Sequence, residues 1–379
     1  MRVSSMQDKL ARGLSLVGRA VASRSTLPVL SNVYIGTEKG MLKLAATNLE
    51  IGITTWVEAK VEEPGSTTVP AKLFSDLVNQ SPPERIQLDL TERNQELHYR
   101  CASVDATIKG IDASEFPIIP TAEEGATIRV PAPLLKEMIE QVSFAAAVDE
   151  SRPILTGVLM DIQENRLTMA AADGFRLSVR SAHLEQDVPQ PTHVIVPARA
   201  LSELARVIGD SEEEVKIIVT TNRNQLLFHL DHVDLVTQLI EGNFPDVQRL
   251  IPTSSNTRTV VDTAQLLKAV RRAYIFARDA ANIIRVQISD TEPGTPGQLT
   301  LTAEATEVGE NIEELVAAIE GEGMEIAFNA KYLMDVLTVL NTAQVAIETN
   351  SSSTPGVIRP VGSDGFTHVI MPMHIGSGR

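Results

Sequence analysis

The chain repeats itself three times at a period of about 125 residues, far longer than a solenoid repeat and of the size of a whole domain. One block runs from near Met1 through Phe116-Pro117-Ile118-Ile119-Pro120, and a second from near Thr127 through Phe244-Pro245 to Leu250-Ile251-Pro252. A third runs from near Arg258 to Ile370-Met371-Pro372-Met373. Each opens with a short apolar segment and a helix, over 10–21, 134–144 and 266–276. A strand follows (29–35, 155–162, 284–288) and then another (42–46, 167–171, 299–303). A second helix enters through Val69-Pro70-Ala71-Lys72, Val196-Pro197-Ala198-Arg199 and Phe328-Asn329-Ala330-Lys331. Its core-facing stripe reads Leu73, Leu77, then Leu201, Leu204, Ile208, then Leu333, Val336, Leu337, Leu340. Strands such as 215–219, 226–229 and 236–240 complete the unit. The pattern predicts an α+β fold of three repeated domains, each with two helices packed on antiparallel sheets of about eight strands. Boundaries are expected in the polar stretches 121–125 and 253–257, giving domains 1–124, 125–253 and 254–379.

Composition narrows the function. With 43% hydrophobic and 22% charged residues the 379-residue chain belongs with soluble globular proteins. Its first residues lack the apolar core of a signal peptide, and no apolar run nears the roughly 20 residues of a spanning helix, so a cytoplasmic protein with no membrane partner is expected. Cys101 stands alone and reads as a packed strand residue rather than a nucleophile. There is no Walker motif, no Gly-x-Gly-x-x-Gly after a strand, no His-Glu-x-x-His and no Gly-x-Ser-x-Gly elbow. A hydrolase built on Asp173 and Asp364 is the rival reading, but both sit in Asp-Gly-Phe, a turn signal that accounts for them without catalysis. No enzyme activity, metal or cofactor is expected. The net charge of −16 argues against nucleic acid unless the charges are segregated. A basic residue does recur at the start of each second helix (Lys72, Arg199, Lys331), where the helix dipole disfavours it. It is there either for use or to cover apolar surface with its stem.

Over this layout, Arg24-Ser25-Thr26-Leu27-Pro28, Asp173-Gly174-Phe175-Arg176-Leu177, Phe244-Pro245-Asp246 and Val369-Ile370-Met371-Pro372-Met373 resemble the bacterial β sliding clamp family along the full chain. The resemblance implies the DNA clamp fold: two three-domain chains joined head to tail in a closed ring, helices lining the hole and sheets outside. It also implies encircled duplex DNA, contacted without regard to sequence, and processivity for the replicative polymerase. A structural or repair-specific clamp paralogue is the alternative. Candidate bore residues are Lys9, Arg12, Arg19 and Lys72, then Lys136, Arg199 and Arg206, then Lys268, Arg271, Arg272 and Lys331; any one of them is equally a solvated helix face. The family places Arg24 and Arg152 in loops near DNA, although Pro153 and Ile154 stand where it often carries aromatics. Acidic residues crowd 58–63, 210–214 and 304–325.

By the same resemblance, partner proteins insert peptides into a cleft formed by Leu155, Gly174, Phe175, Arg176, Leu177, Pro245, Arg249, Leu250, Ser353, Pro355, Val369, Ile370, Met371, Pro372 and Met373, with Val357 nearby. Methionines suit a surface that accepts many partners. Implied partners are the clamp loader, which supplies the ATP chemistry, the polymerase α subunit, translesion polymerases, ligase and mismatch-repair proteins. Phe175 replaces a frequent histidine, and His374-Ile375 precedes the extra tail 376–379, so peptide preference is expected to differ. Dimer contacts are assigned to Ile108, Ile275 and Phe276, with Arg100 or Lys109 facing Glu304, Glu307 or Glu310.

Overall fold

Each block folds by the same recipe of one strand, a helix, four strands, a second helix and three strands, with one extra strand in the first. A computed structural model describes residues 1–22, 24–91, 93, 95–121, 127–186, 191–220, 224–289, 297–307 and 309–374. The first block comprises β1 (Arg2–Met6), α1 (Gln7–Val17), β2 (Asn32–Glu38), β3 (Met41–Thr47), β4 (Ile51–Val57), the extra β5 (Lys60–Glu63), β6 (Ser66–Pro70), α2 (Ala71–Gln80), β7 (Arg85–Thr91), β8 (Glu96–Cys101) and β9 (Val104–Lys109). The second comprises β10 (Ile128–Pro131), α3 (Ala132–Val142), β11 (Gly157–Gln163), β12 (Arg166–Ala172), β13 (Arg176–His183), β14 (Thr192–Pro197), α4 (Ala198–Ile208), β15 (Glu214–Val219), β16 (Gln225–Leu230) and β17 (Val233–Gln238). The third comprises β18 (Thr257–Asp262), α5 (Thr263–Ala277), β19 (Ile283–Ser289), β20 (Gly297–Ala305), β21 (Gly309–Glu320), β22 (Met324–Asn329), α6 (Ala330–Thr338), β23 (Gln344–Thr349), β24 (Gly356–Pro360) and β25 (Phe366–Ile370).

The strands of a block divide into two antiparallel half-sheets. One holds the four strands between the helices; the other joins the first strand to the last three. Neighbouring blocks then share sheets. β17, last of the second block, pairs with β4 of the first, setting Val233 opposite Thr55 and Thr237 opposite Ile51. β25, last of the third, pairs with β13 of the second, setting Arg176 opposite Ile370 and Arg180 opposite Phe366. The chain accordingly separates into two compact units, residues 1–136 with 203–239 and residues 137–202 with 240–379, and the second block contributes to both.

Within the first unit, α1 buries Leu10, Leu14 and Val17 and packs on β3 and β4. Gly13 permits this approach: a Cβ there would lie 2.6 Å from a Val57 methyl and 2.9 Å from Leu44. Within the second, α5 packs on β20 and β21, and α5 and α6 pack on each other. Cys101 is buried at the end of β8, as expected of a packed strand residue.

Several sequence expectations need correction. The stripe of α2 is Ala71, Phe74 and Val78, whereas Leu73 points outward at 54% exposure and Leu77 is half-buried. Both readings fit a helical period, and the ring of Phe74 wins the interior by meeting Tyr99 edge-on at 6.4 Å. The strands expected from 29 and 155 open as 3-10 turns, Pro28–Ser31 and Pro153–Thr156, because proline supplies no ladder donor and favours the first helical position. α1 ends at Val17 and gives way to a 3-10 turn, Gly18–Ala20. Thr257, expected in a linker, begins β18. Positions 122–125 of the other expected linker, and the tail 376–379, lie outside the described residues.

Replacing Phe74 with Ala is expected to cost about 3–5 kcal/mol, against less than about 0.5 kcal/mol for Leu73→Ala. Urea unfolding followed by circular dichroism measures both, and equal midpoints would contradict the assigned stripe.

Candidate functional site

Strand alternation in the second unit turns one row of side chains outward and the next inward. On the outward face of β12, β13, β25 and β24, Ala172, Leu177, Val369 and Val357 form a small apolar cluster with Leu159, Ala170, Val179 and Val247. The connector between the second and third blocks lies against this cluster, packing Phe244 and Ile251 onto it and burying Val247. Beside the connector opens a cavity of about 660 Å³, lined by Ala172, Gly174, Phe175, Arg176 and Leu177, by 248–253, and by Pro355, Val369 and Met371. Phe175, Leu250 and Met371 are 58%, 49% and 43% exposed, so large apolar side chains stand at its mouth with nothing among the described residues covering them.

Arg176 holds the wall in place. Its Nε donates to Asp173 Oδ2 (3.0 Å), Nη1 to Asp335 Oδ2 (2.6 Å) and Nη2 to the Phe144 carbonyl (2.7 Å). Its guanidinium also lies 4.4 Å from the centre of the Tyr332 ring and 5.4 Å from that of Phe144. Five N–H donors in a planar fork make arginine the residue suited to such a junction. Asp173 in turn accepts from the Phe175 and Arg176 amides (2.8 and 3.0 Å) at Oδ1, and Gly174 adopts φ +93°. That is turn chemistry. Asp364 likewise sits in a turn, with its carbonyl bonded by Arg180 and Gly365 at φ +87°.

Behind the cleft, His368 is fully buried. Ser178 Oγ donates to the Gln141 carbonyl (2.9 Å), so at the 2.9 Å contact with His368 it is the histidine Nδ1–H that donates. Nε2 has no partner among the described residues. Burial, aided by the positive Arg176 nearby, pushes the His368 pKa from 6.5 down to about 3.

The structure gathers Gly174, Phe175, Arg176, Leu177, Arg249, Leu250, Pro355, Val369 and Met371 at the cavity, as the motifs suggested. It sets the other expected residues elsewhere. Ile370 alternates into the opposite core and is wholly buried. Leu155 lies in a 3-10 turn with its carbonyl bonded by Ala147. Pro245 lines a different cavity, Ser353 belongs to a turn closed by Ser351 and Thr354, and Pro372 and Met373 lie beyond the lining, with the Met373 amide bound to the Ala327 carbonyl. Val357 is buried within the cluster. Sequence reasoning missed Ala172, Gln248, Ile251, Pro252 and Thr253; the alternation of β12 and the apolar run after Arg249 were the available signals.

The basic candidates divide into engaged and free. Lys9 bonds Glu58, Arg19 bonds Glu203 (3.3 Å), Arg206 bonds Glu203, and Arg272 chelates Glu313. Lys136 donates to the Gly209 carbonyl at the end of α4 (2.6 Å), where a cation suits the helix dipole. Arg152 donates to the Asp173 carbonyl (3.0 Å). Arg12, Arg24, Lys72, Arg199, Lys268, Arg271 and Lys331 are exposed, and no carboxylate pairs with them among the described residues. Of the expected dimer residues, Ile108 is 4% exposed inside its own sheet, and Phe276 packs on the third block's core. Ile275 is 52% exposed, Arg100 pairs with Asp105 (3.1 Å), Glu304 lies 3.9 Å from Arg285, and Lys109 and Glu307 are exposed.

Three copies of one α+β module with shared sheets, carrying an open apolar cleft, define a protein built from repeated domains. Models of the N-terminal, central and C-terminal domains of the DNA polymerase III beta subunit match residues 1–120, 129–246 and 248–374. The beta sliding clamp of Bacillus subtilis is 30% identical over 98% of this chain and 99% of its own length, and that of Staphylococcus aureus is 31% identical over the same shares. The solved Bacillus subtilis DNA polymerase sliding clamp superposes with a TM-score of 0.92 at 30% identity, covering 99% of both chains. The DNA polymerase III beta subunit of Pseudomonas aeruginosa does so at 0.89 and 29% identity, covering 99% of this chain and all of that one. The chain belongs to the family of bacterial DNA polymerase III β subunits, the β sliding clamps, and has their three-domain clamp fold. Among the described residues no helix is long and apolar enough to cross a membrane, and no three His, Cys, Asp or Glu side chains are grouped to hold a metal.

His368 sets a pH dependence. Because its folded pKa lies below its unfolded value, stability is complete above about pH 6.5 and falls by about 1.4 kcal/mol per pH unit toward pH 3 as the unfolded state takes up the proton. Urea midpoints at pH 7, 6, 5 and 4 are expected to fall more steeply for the wild type than for His368→Gln; parallel curves would refute this.

Proposed function

We propose that two copies of this chain close head to tail into a ring around duplex DNA and tether the replicative polymerase to it. The observation that carries this reading is the rule by which blocks share sheets. The last strand of a block pairs with the third strand between the helices of the preceding block, as β17 does with β4 and β25 with β13. Two strands of these same kinds keep an open edge among the described residues: β9 pairs only with β8, and residues 310–316 of β21 pair only with β20. A second copy would satisfy both edges by the pairing already used twice within the chain, and edge strands left open otherwise invite uncontrolled association. Ile312 and Val316 are 55% and 71% exposed on β21, beside exposed Glu310 and Glu314, while Lys109 is exposed on β9. Ile275, Arg100, Glu304 and Glu307 flank this junction in the proposal, with the domains bounded at 1–124, 125–253 and 254–379.

The free cations Arg12, Arg24, Lys72, Arg199, Lys268, Arg271 and Lys331 are assigned to loose phosphate contact in the bore, with Arg152, Lys136 and Arg206 in supporting positions. A net charge of −16 keeps DNA off the remaining surface. Retention is then topological, so tight affinity is not needed and would slow sliding. The apolar cleft is assigned to peptides of the clamp loader, the polymerase α subunit, translesion polymerases, ligase and mismatch-repair proteins. The chain itself acts without catalysis or cofactor, in the cytoplasm, and ATP is spent by the loader.

Loaded on nicked circular DNA at moderate salt, the protein is expected to stay bound at least about tenfold longer than after linearisation, because a closed ring leaves only by sliding off a cut end and the difference is read in the dissociation rate. Equal loss from both forms would refute encirclement. Ile312→Lys places a cation against Lys109 and is expected to weaken the dimer by about tenfold or more in sedimentation velocity. Leu250→Asp is expected to abolish binding of an apolar peptide to the cleft, read by fluorescence anisotropy.

A further inference from the structure

The helices repeat a junction just as the strands do. Counted from Ala71, Ala198 and Ala330, where the three second helices start, the sixth residue is acidic each time: Asp76, Glu203 and Asp335. Two of these acids meet a cation held at the end of the preceding block's first helix. Glu203 of α4 bonds Arg19, which stands in the 3-10 turn after α1 (3.3 Å). Asp335 of α6 bonds Arg176 (2.6 Å), and the same guanidinium bonds the Phe144 carbonyl in the 3-10 turn after α3 (2.7 Å). Arg19 and Phe144 occupy the same place, thirteenth from Gln7 and Ala132, where their helices start.

The third acid has no such partner. Asp76 is exposed on α2, and no cation pairs with it among the described residues. Leu73, three residues before it, is exposed as well, whereas the side chains at its place in α4 and α6 are covered: Ala200 is wholly buried, and the Tyr332 ring lies 4.4 Å from the Arg176 guanidinium. With α1 and α3 engaged, the helix end left over is that of α5, whose thirteenth residue is the exposed Ile275. Arg278 follows three residues on, its one ion pair among the described residues being a 3.8 Å contact with the adjacent Asp279, whereas Arg272 is already chelated by Glu313. Residues three apart are neighbours on a helix surface. Thus α2 offers an apolar side chain beside an acid, and the end of α5 offers an apolar side chain beside a cation.

We propose that α2 of one copy docks on the end of its partner's α5, with Leu73 against Ile275 of the partner subunit and Asp76 paired with the partner subunit's Arg278. The acid of the second helix then does between copies what Glu203 and Asp335 do within one chain. This rests on the reading of two copies closed into a ring, and the experiment separates the two. A head-to-tail ring of two has two identical junctions, so each substitution is felt twice. In sedimentation velocity on the full chain, Asp76→Asn is expected to loosen the dimer about tenfold, roughly threefold per junction, the scale of a partly exposed ion pair, with the difference shrinking at high salt. Arg278→Gln is expected to loosen it about as much, and to add nothing further in the Asp76→Asn background. Glu50→Gln removes an equal charge from the exposed turn between β3 and β4 and is expected to leave the dimer unchanged. A dimer as tight with Asp76→Asn as without it overturns the proposal, as does equal loosening by Glu50→Gln. So do losses from Asp76 and Arg278 that simply multiply, or a coupling of Asp76 to Arg271 in place of Arg278. A wild-type chain that stays monomeric removes the ring reading itself, and this proposal with it.

Discussion

Antiparallel pairing between strands of neighbouring blocks is the constraint on which the architecture depends. A four-stranded half-sheet has two edges, and each edge exposes a row of backbone donors and acceptors that must find partners. Here one edge of a half-sheet is closed by the corresponding edge of the next block, so β17 completes the sheet of β4 and β25 that of β13. The repeat boundary seen in sequence is therefore not a boundary in the folded contacts: the second block is divided between two compact units because each of its half-sheets belongs to a different neighbour. The positions left over at the first and third blocks are fixed by the same arithmetic.

How far the fold was legible follows from what local patterns encode. The threefold order of elements, the second helices and most strands could be read because apolar periodicity and proline-led helix starts are local signals. The stripes of α4 and α6 were read correctly through Leu201, Leu204, Ile208 and Leu333, Val336, Leu337, all buried. In α2 two registers of the helical period were available, and only the partner ring of Tyr99, remote in sequence, decides for Phe74 over Leu73. Which strand edge meets which depends on contacts more than a hundred residues apart, and no period along the chain records it.

The cleft divides the same way. Motif residues on the turn 173–177 and on β25 gathered as expected, since both lie on a rigid sheet. Ile370 did not, because in a strand adjacent residues face opposite sides, and a motif read as a string ignores that alternation. The connector residues were missed for a different reason: Val247, Ile251 and Pro252 acquire meaning only by crossing a sheet face that the sequence does not display. Basic residues were legible as charges but not as free or engaged ones, a distinction made by partners such as Glu203 for Arg19 and Arg206.

Arg176 shows what it means for a site to be built from its own scaffold. The side chain that walls the cleft also ties the end of the second block's first helix, through Phe144, to α6 of the third block, through Asp335 and Tyr332. Cutting one member out of such a largely buried charge cluster costs about 3–5 kcal/mol, a large part of the stability of an ordinary domain. The residue is thus held in place by folding before any ligand selects it. A competitive inhibitor seated against Arg176 would confront a wall that drift can hardly alter, whereas one leaning on exposed Phe175 or Arg249 would meet positions free to change. Resistance, if it arose, would come from the rim of the cleft and leave this wall untouched.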